Sequence, residues 1–309
     1  MIGASTGRLG LLLGVLLLGA CGRDAATPVE AGLDHEAWAA GEVSWREARE
    51  RDLRRPDGWL SLVGLHWFTA GSHTVGSADG SGIRLAEGPG RLGVIELDGD
   101  GLRFVPAPDA GVVVDGVAAG EAVALTTSPP GPPTVVAWDA GQSSFLVLKR
   151  GDRHALRVRD TRARTRVGFT ALDWFALDPA WRIEARFDAH PEGRTIDIAN
   201  ITGSLDAMPN PGAAVFERDG RRFSLEAVDE GGRLFFIFAD RSNADATYGA
   251  GRFLYADPGD DGQVILDFNR AYNPPCAFNA YSTCPLPPPE NRLDLRIDAG
   301  EKRYTGPTS

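Results

Sequence analysis

The sequence reads as a mainly β protein, with one N-terminal helix followed by two antiparallel β units of sandwich or barrel type. Three observations carry this reading. Asp-Gly pairs, which favour tight hairpin turns, recur at 57–58, 79–80, 98–99, 100–101, 115–116, 219–220 and 261–262. Short runs rich in Val, Ile, Leu and Phe lie among them, at 94–97, 111–117, 145–148, 182–187, 195–201, 234–238 and 264–268. Only one long segment has helical spacing. Short strands punctuated by turns imply sandwiches or barrels, and no internal repeat is found.

Taken in order, residues 1–20 carry one charge, Arg8, then an apolar run from Leu9 to Leu18, which is the pattern of a signal peptide. That run is roughly half the ~20 residues a membrane-spanning helix needs. Leu18-Gly19-Ala20-Cys21 resembles a bacterial lipobox, which implies cleavage before Cys21 and lipidation of its thiol. Two or more acyl chains suffice for stable anchoring. The expected partner is therefore a membrane, reached through the lipid. Gly22 stands where an aspartate would resemble an inner-membrane retention signal, so the expected location in a Gram-negative host is the outer membrane, facing the periplasm.

Residues 21–33, rich in Ala, Pro and small polar residues, read as a flexible tether. The helix is expected over 34–56. Trp38, Trp45, Ala48 and Leu53 share much of one face, Glu47, Arg49, Glu50 and Arg51 point to water, and Pro56 with Asp57-Gly58 ends it. The first β unit follows over 57–160 and the second over 161–309. Between them, the basic stretch 160–166 reads as a solvated strand edge carrying Arg162, Arg164 and Arg166.

The formal charge of −10 becomes −11 once Arg8 is removed, which excludes nucleic acid as the main partner. With Cys21 lipidated, Cys276 and Cys284 remain as a candidate disulfide, favoured by export. The alternatives are two reduced thiols or half a metal site. Zinc would need more soft ligands, and all five histidines lie at position 190 or earlier, so no metal and no cofactor is expected. Gly88-Pro89-Gly90-Arg91-Leu92-Gly93 matches a nucleotide fingerprint formally, but a strand rather than a helix follows it. Asp257-Pro258-Gly259-Asp260-Asp261-Gly262 imitates the start of a calcium loop but lacks the closing Glu, with Phe268 in its place.

The densest polar constellation runs from Asp240 to Asn291, around Tyr248, Arg252, Asp267, Asn269, Tyr272 and Asn273. Rigid proline-rich loops bearing such groups can present preorganised hydrogen-bonding partners to a ligand. Asp267 would serve as base or anchor, Arg252 would grip a carboxylate or phosphate, and Asn269, Tyr272 and Asn273 would orient the ligand. The competing reading is that Asp240 or Asp267 pairs with Arg252 and the asparagines satisfy backbone groups. His66 and His73, beside Trp59 and Trp67, form a second cluster, read as the packing of a buried entry strand over 58–65.

Three segments carry a family resemblance: Pro56-Asp57-Gly58-Trp59-Leu60-Ser61-Leu62-Val63-Gly64-Leu65, Thr247-Tyr248-Gly249-Ala250-Gly251-Arg252-Phe253-Leu254, and Asp267-Phe268-Asn269-Arg270-Ala271-Tyr272-Asn273-Pro274-Pro275-Cys276-Ala277-Phe278. With Cys284-Pro285-Leu286-Pro287-Pro288 and Ala299-Gly300-Glu301, they are similar to the bacterial domain-of-unknown-function family 1684 (DUF1684) over residues 42–304. The resemblance implies no assigned activity. Gly71-Ser72-His73-Thr74-Val75-Gly76-Ser77 resembles the opening of a forkhead-associated sandwich, although Ser77 replaces the arginine of phosphothreonine readers. The expected function is noncatalytic recognition or scaffolding in the cell envelope, directed at a small polar ligand or glycan through the Asp240–Asn291 loops. The alternative is an envelope hydrolase that uses Asp267 with Asp240 or Glu290 as a carboxylate pair.

Overall fold

The computed structural model describes Met1 and residues 33–128 and 131–309, so the lipobox, Cys21 and the tether up to residue 32 lie outside the described residues. The fold is mainly β, with antiparallel sheets and one long N-terminal helix. Among the described residues, no helix is long and apolar enough to cross a membrane.

Two sheets use residues up to 160. One runs in the order Leu62–Phe68, Arg153–Asp160, Ser143–Arg150, Val136–Trp138, Val113–Val114, Val117–Ala118, with Thr127–Ser128 added in parallel to Ser143–Arg150. The other runs Ile83–Arg84, Gly71–Gly76, Gly93–Asp98, Gly101–Pro106, Val123–Ala124. Alternating residues bury a common core of Ile95, Leu97, Phe104, Phe145, Val147 and Leu156. The expected strand over 111–117 is instead a two-stranded hairpin. Asp115 and Gly116 both take positive φ, 46° and 84°, so the Asp-Gly pair folds the run back on itself. Ser77, at the place of the phosphate-reading arginine, donates its hydroxyl to the Gly88 carbonyl at 2.7 Å.

The later residues form a six-stranded antiparallel sheet in the order Arg252–Ala256, Arg233–Phe238, Arg221–Glu230, Gly212–Arg218, Arg182–Ala189, Gln263–Asp267. It curls until its two end strands lie side by side. A two-stranded hairpin, Thr195–Ala199 with Leu205–Pro209, stands apart from it. Leu234, Phe236 and Phe238 fill the inside of the curl with Phe216, Leu225, Leu254 and Phe268. Phe235 and Ile237 face the other way, onto a second cluster with Ile198, Phe253 and Cys284. A strand covered on both faces needs an unbroken apolar run, which is why 234–238 lacks alternation. The 160–166 stretch is not a strand edge. It turns into a short helix, Arg164–Val167, and Arg166 donates to the carbonyls of Arg54, Arg55 and Thr161.

The long helix spans His35–Leu53, and Asp34 caps it by accepting from the Glu36 and Ala37 N–H groups. Glu47 and Arg51 face water as expected, but Arg49 and Glu50 do not. The helix lies across the C-terminal segments, so faces that would be solvated on an isolated helix gain partners. Trp38 Nε1 donates to Asp267 at 2.9 Å, buried Glu42 pairs with Arg270 at 2.7 Å, and Arg49 pairs with fully buried Glu301 at 2.8 Å. Glu50 accepts from the Leu172 N–H. Leu53 and Leu60 then join Phe169, Leu172 and Phe278 in a small core beneath the helix end. Trp59 sits in a 3-10 turn rather than a buried strand, and is 38% exposed.

Candidate functional site

Beyond residue 267 the chain has almost no regular structure, so its backbone groups must be satisfied by side chains. The polar residues singled out from the sequence perform this work. Asn291 accepts from the Glu226 N–H and donates to the Glu226 and Ile237 carbonyls at 2.9 and 3.0 Å. Asn269 exchanges hydrogen bonds with the Asp178 backbone, and Asn273 donates to the Lys302 carbonyl. Tyr248 donates to the Cys276 carbonyl at 3.2 Å, and burial raises its pKa to about 12.

Arg252 and Asp240, both with fully buried side chains, form an ion pair. Arg252 also donates to the Ile297 and Ala299 carbonyls, and Asp240 accepts from the Ser242 and Ile297 N–H groups. Asp267 belongs to a separate network, holding Trp38 and the Asn269 backbone and side chain. Glu290 is exposed. The structure thus uses these groups to fasten loops to sheet and helix and gathers them at no common surface. Asp240 borders a shallow depression beside Arg241 and Arg292, and Tyr272 alone reaches the large cavity described next.

That cavity, of about 860 Å³, lies where both β units, the helix and the C-terminal loops meet. Its size is that of a typical small-molecule site, roughly 300–1,000 Å³. Phe235, Phe253 and Tyr255 come from the outer face of the curled sheet, and Ile198 and Met208 from the separate hairpin. Tyr255 stacks on Phe235 with centroids 4.7 Å apart, and Phe253 meets the same ring edge-on at 4.9 Å. Trp45 and Trp59 add further aromatic wall. The first β unit supplies Lys149, Arg150 and Arg157, and the C-terminal loops supply Tyr272, Pro275 and residues 282–285.

Four cations line this space. Arg49 is committed to Glu301 and the Asn273 carbonyl, and its guanidinium lies 4.6 Å from the centre of the Tyr272 ring. Lys149 reaches Asp100 at 3.6 Å. Arg150 donates to the Ser128 and Lys149 carbonyls. Arg157 is 5% exposed, and its one side-chain hydrogen bond is to Thr283 Oγ1 at 3.4 Å. Its Nε is buried without a partner, and among the described residues no carboxylate lies within ion-pair distance. Burial, then repulsion from Arg150 and Arg159, lowers its pKa to about 10, so it stays charged at neutral pH.

Cys284 lines one wall and Cys276 is its unbridged neighbour, with the Cys276 N–H donating to Cys284 Sγ at 3.1 Å. The hydrogen bond between the thiols pulls the Cys276 pKa down and pushes that of Cys284 up. Among the described residues, no group of three or more His, Cys, Asp or Glu is arranged to hold a metal ion.

The chemistry this site offers is recognition: aromatic surface to enclose a ligand and a buried cation to orient it. Sequence reasoning passed over Arg157, Arg150, Phe235 and Tyr255. In Ala155-Leu156-Arg157-Val158 the alternation places Arg157 opposite Leu156 and Val158, which reads as an ordinary solvent face. The later residues cover that face, and nothing local announces it.

A family described as "Protein of unknown function (DUF1684)" matches residues 167–302, which takes in the curled sheet and the C-terminal loops and leaves the earlier sheets outside. Among solved structures, the chain is similar to an uncharacterized protein of Haloarcula marismortui determined by solution NMR, with 32% identity over 43% of this chain and 77% of that one, and a TM-score of 0.37. No curated protein matches.

Proposed function

We propose from the cavity itself that the protein is a noncatalytic recognition module for a small organic ligand, since the DUF1684 family that matches residues 167–302 carries no assigned activity in its description. The observation that carries this is a space of about 860 Å³ walled by six aromatic side chains from four separate parts of the chain. Aromatic side chains seldom line so large a space without use, because burying each would contribute roughly 1.5–3 kcal/mol to a fold that filled it. The ligand sits in this cavity, which the loops border through Tyr272, Pro275 and residues 282–285, and not on Asp240, Arg252, Asp267, Asn269, Asn273 or Asn291, whose side chains are occupied in holding the fold. The carboxylates expected to serve a hydrolase, Asp240, Asp267 and Glu290, all lie outside the cavity lining.

The module works at a membrane surface in the cell envelope, tethered through lipidated Cys21. This part of the proposal rests on the charge, apolar run and Leu18-Gly19-Ala20-Cys21 of the N-terminus. Cys21→Ser would move the protein from the membrane fraction to the soluble fraction, and retention of the variant on membranes would refute the lipid tether.

Binding is tested on the full-length protein with an uncharged apolar fluorescent probe, N-phenyl-1-naphthylamine, following the rise in the probe's own fluorescence. The expected result is saturable binding that Met208→Trp, which narrows the cavity from the hairpin side, weakens without unfolding the protein. Binding that is nonsaturable, or unchanged in Met208→Trp, would sink the proposal.

A further inference from the structure

We infer that the ligand of this cavity is an amphipathic acid, whose single carboxylate or phosphate head docks on Arg157 while its apolar body lies on Phe235, Phe253 and Tyr255. This rests on the recognition reading above and names the ligand class it left open.

The argument begins with charge. A guanidinium taken out of water is stable only when paired and hydrogen-bonded. Of the cavity's four cations, Arg49 and Lys149 have carboxylate partners and Arg150 has two carbonyls. Arg157 is the most deeply buried of the four among the described residues, and it alone has neither a carboxylate nor a carbonyl partner: one long bond to Thr283 and an orphaned Nε are what it has. Its neighbours make matters worse, because Arg150 and Arg159 repel it. The carboxylates that line the cavity do not answer it. Asp206 is bonded to Asn200, and Glu230 accepts the Tyr255 hydroxyl. An incoming anion would supply the missing counter-charge and accept from the unused donors, and Arg is the side chain best shaped for a two-point grip on carboxylate or phosphate.

The position of Arg157 fixes how the rest of the ligand is held. It lies beside the Trp59 ring, 5.5 Å from its centre, on the first β unit, whereas Phe235, Phe253 and Tyr255 belong to the curled sheet of the second. The charged and apolar ends of the space therefore come from different parts of the fold. A ligand with one acidic head and an apolar body uses both, while a purely apolar ligand leaves the cation unanswered. A polyanion would have to share the cavity with Asp206 and Glu230.

The test is calorimetric titration of the full-length protein, near pH 8 where the acids are ionised, with dodecanoate, dodecyl phosphate and dodecan-1-ol, each below its micellar concentration. Wild type is expected to favour at least one acid over the alcohol by about 10- to 100-fold, the range for hydrogen bonds to a charged group. In Arg157→Met, which keeps the apolar stem, that preference is expected to fall to near unity with alcohol affinity retained. Arg157→Lys, a point charge without the fork, should fall between. The stronger of the two acids identifies the head group.

Equal binding of acids and alcohol to wild type, weakened in Met208→Trp, would overturn the acid inference and leave the cavity reading standing. An acid preference that survives in Arg157→Met would overturn the role of Arg157. Failure of all three compounds to bind would overturn both readings.

Discussion

Replacing Asp240 by Asn removes one charge from a pair whose side chains are both inaccessible to solvent. Asn can still accept the Ser242 N–H, which Asp240 holds at 2.7 Å, so the local turn survives. Its amide then faces the Arg252 guanidinium donor to donor, and the cation is left buried with only the Ile297 and Ala299 carbonyls. Breaking one side of a buried pair costs about 3–5 kcal/mol, and the two remaining carbonyls place this case near about 3. With a urea slope of about 3 kcal/mol/M for a chain of this size, the unfolding midpoint should fall by about 1 M. Because the pair is screened by protein rather than by solvent, about 0.5 M NaCl should leave that difference unchanged. Arg252→Met strands the carboxylate instead, and the double variant Asp240→Asn/Arg252→Met should cost at least about 2 kcal/mol less than the two single changes together. A loss below about 1 kcal/mol for Asp240→Asn, or one that vanishes in salt, would show that the pair is not the desolvated clasp described above.

Gly300 has φ of 82°, and a Cβ there would collide with the Ala271 and Phe268 carbonyl oxygens, so Gly300→Ala should lose about 2–4 kcal/mol by urea unfolding; a neutral result would mean that the C-terminal segment is not seated on residues 268–271. Burial holds His66 and His154 below the ordinary histidine value of 6.5, with Lys149 adding to the effect at His154. The unfolded chain therefore takes up these protons first, and the stabilisation is complete above about pH 6.5 and lost as pH falls through the folded-state values. His66→Gln should shrink the stability lost between about pH 7 and 5, and an undiminished loss would clear His66 of any part in it. Mild oxidation should join Cys276 Sγ to Cys284 Sγ, two electrons and two protons passing to the oxidant, and should raise stability by roughly 2–3 kcal/mol on the chain-entropy account. Peptide mapping of the oxidised protein checks the bridge, and persistence of both free thiols would count against it.

How much of this was legible in the sequence depends on whether the deciding neighbour was local. Asp34 announces the helix start, and the run 234–238 announces a buried strand, because caps and apolar runs act over a few residues. The hairpin at 113–118 was misjudged despite its Asp-Gly pair, since four valines outweighed the turn signal when the run was read whole. Arg49 looked solvated because Glu301, which buries it, stands 252 residues away. The polar loops stand out in the sequence by their density of Asn, Asp, Arg and Tyr, but only the fold reveals that Asn269, Asn273 and Asn291 are turned toward backbone groups. Arg157 was invisible for the converse reason. Its own strand gives it a solvent-facing position, and the loop residue that meets it, Thr283, stands 126 residues away.

The stitching of the N-terminal helix to the far end of the chain also governs the order of events during biogenesis. Trp38, Glu42 and Arg49 find their partners at 267, 270 and 301, separations of 229, 228 and 252 residues. The first regular element to leave the ribosome is thus among the last to dock, and until then Glu42 has no counter-charge and the helix no floor. A chain that stalls short of residue 301 forfeits more than its tail: both termini come loose together. Such a delay leaves the sheets without their clasp until synthesis is finished, after which arrival of the final segment fastens the helix and the C-terminal loops at once.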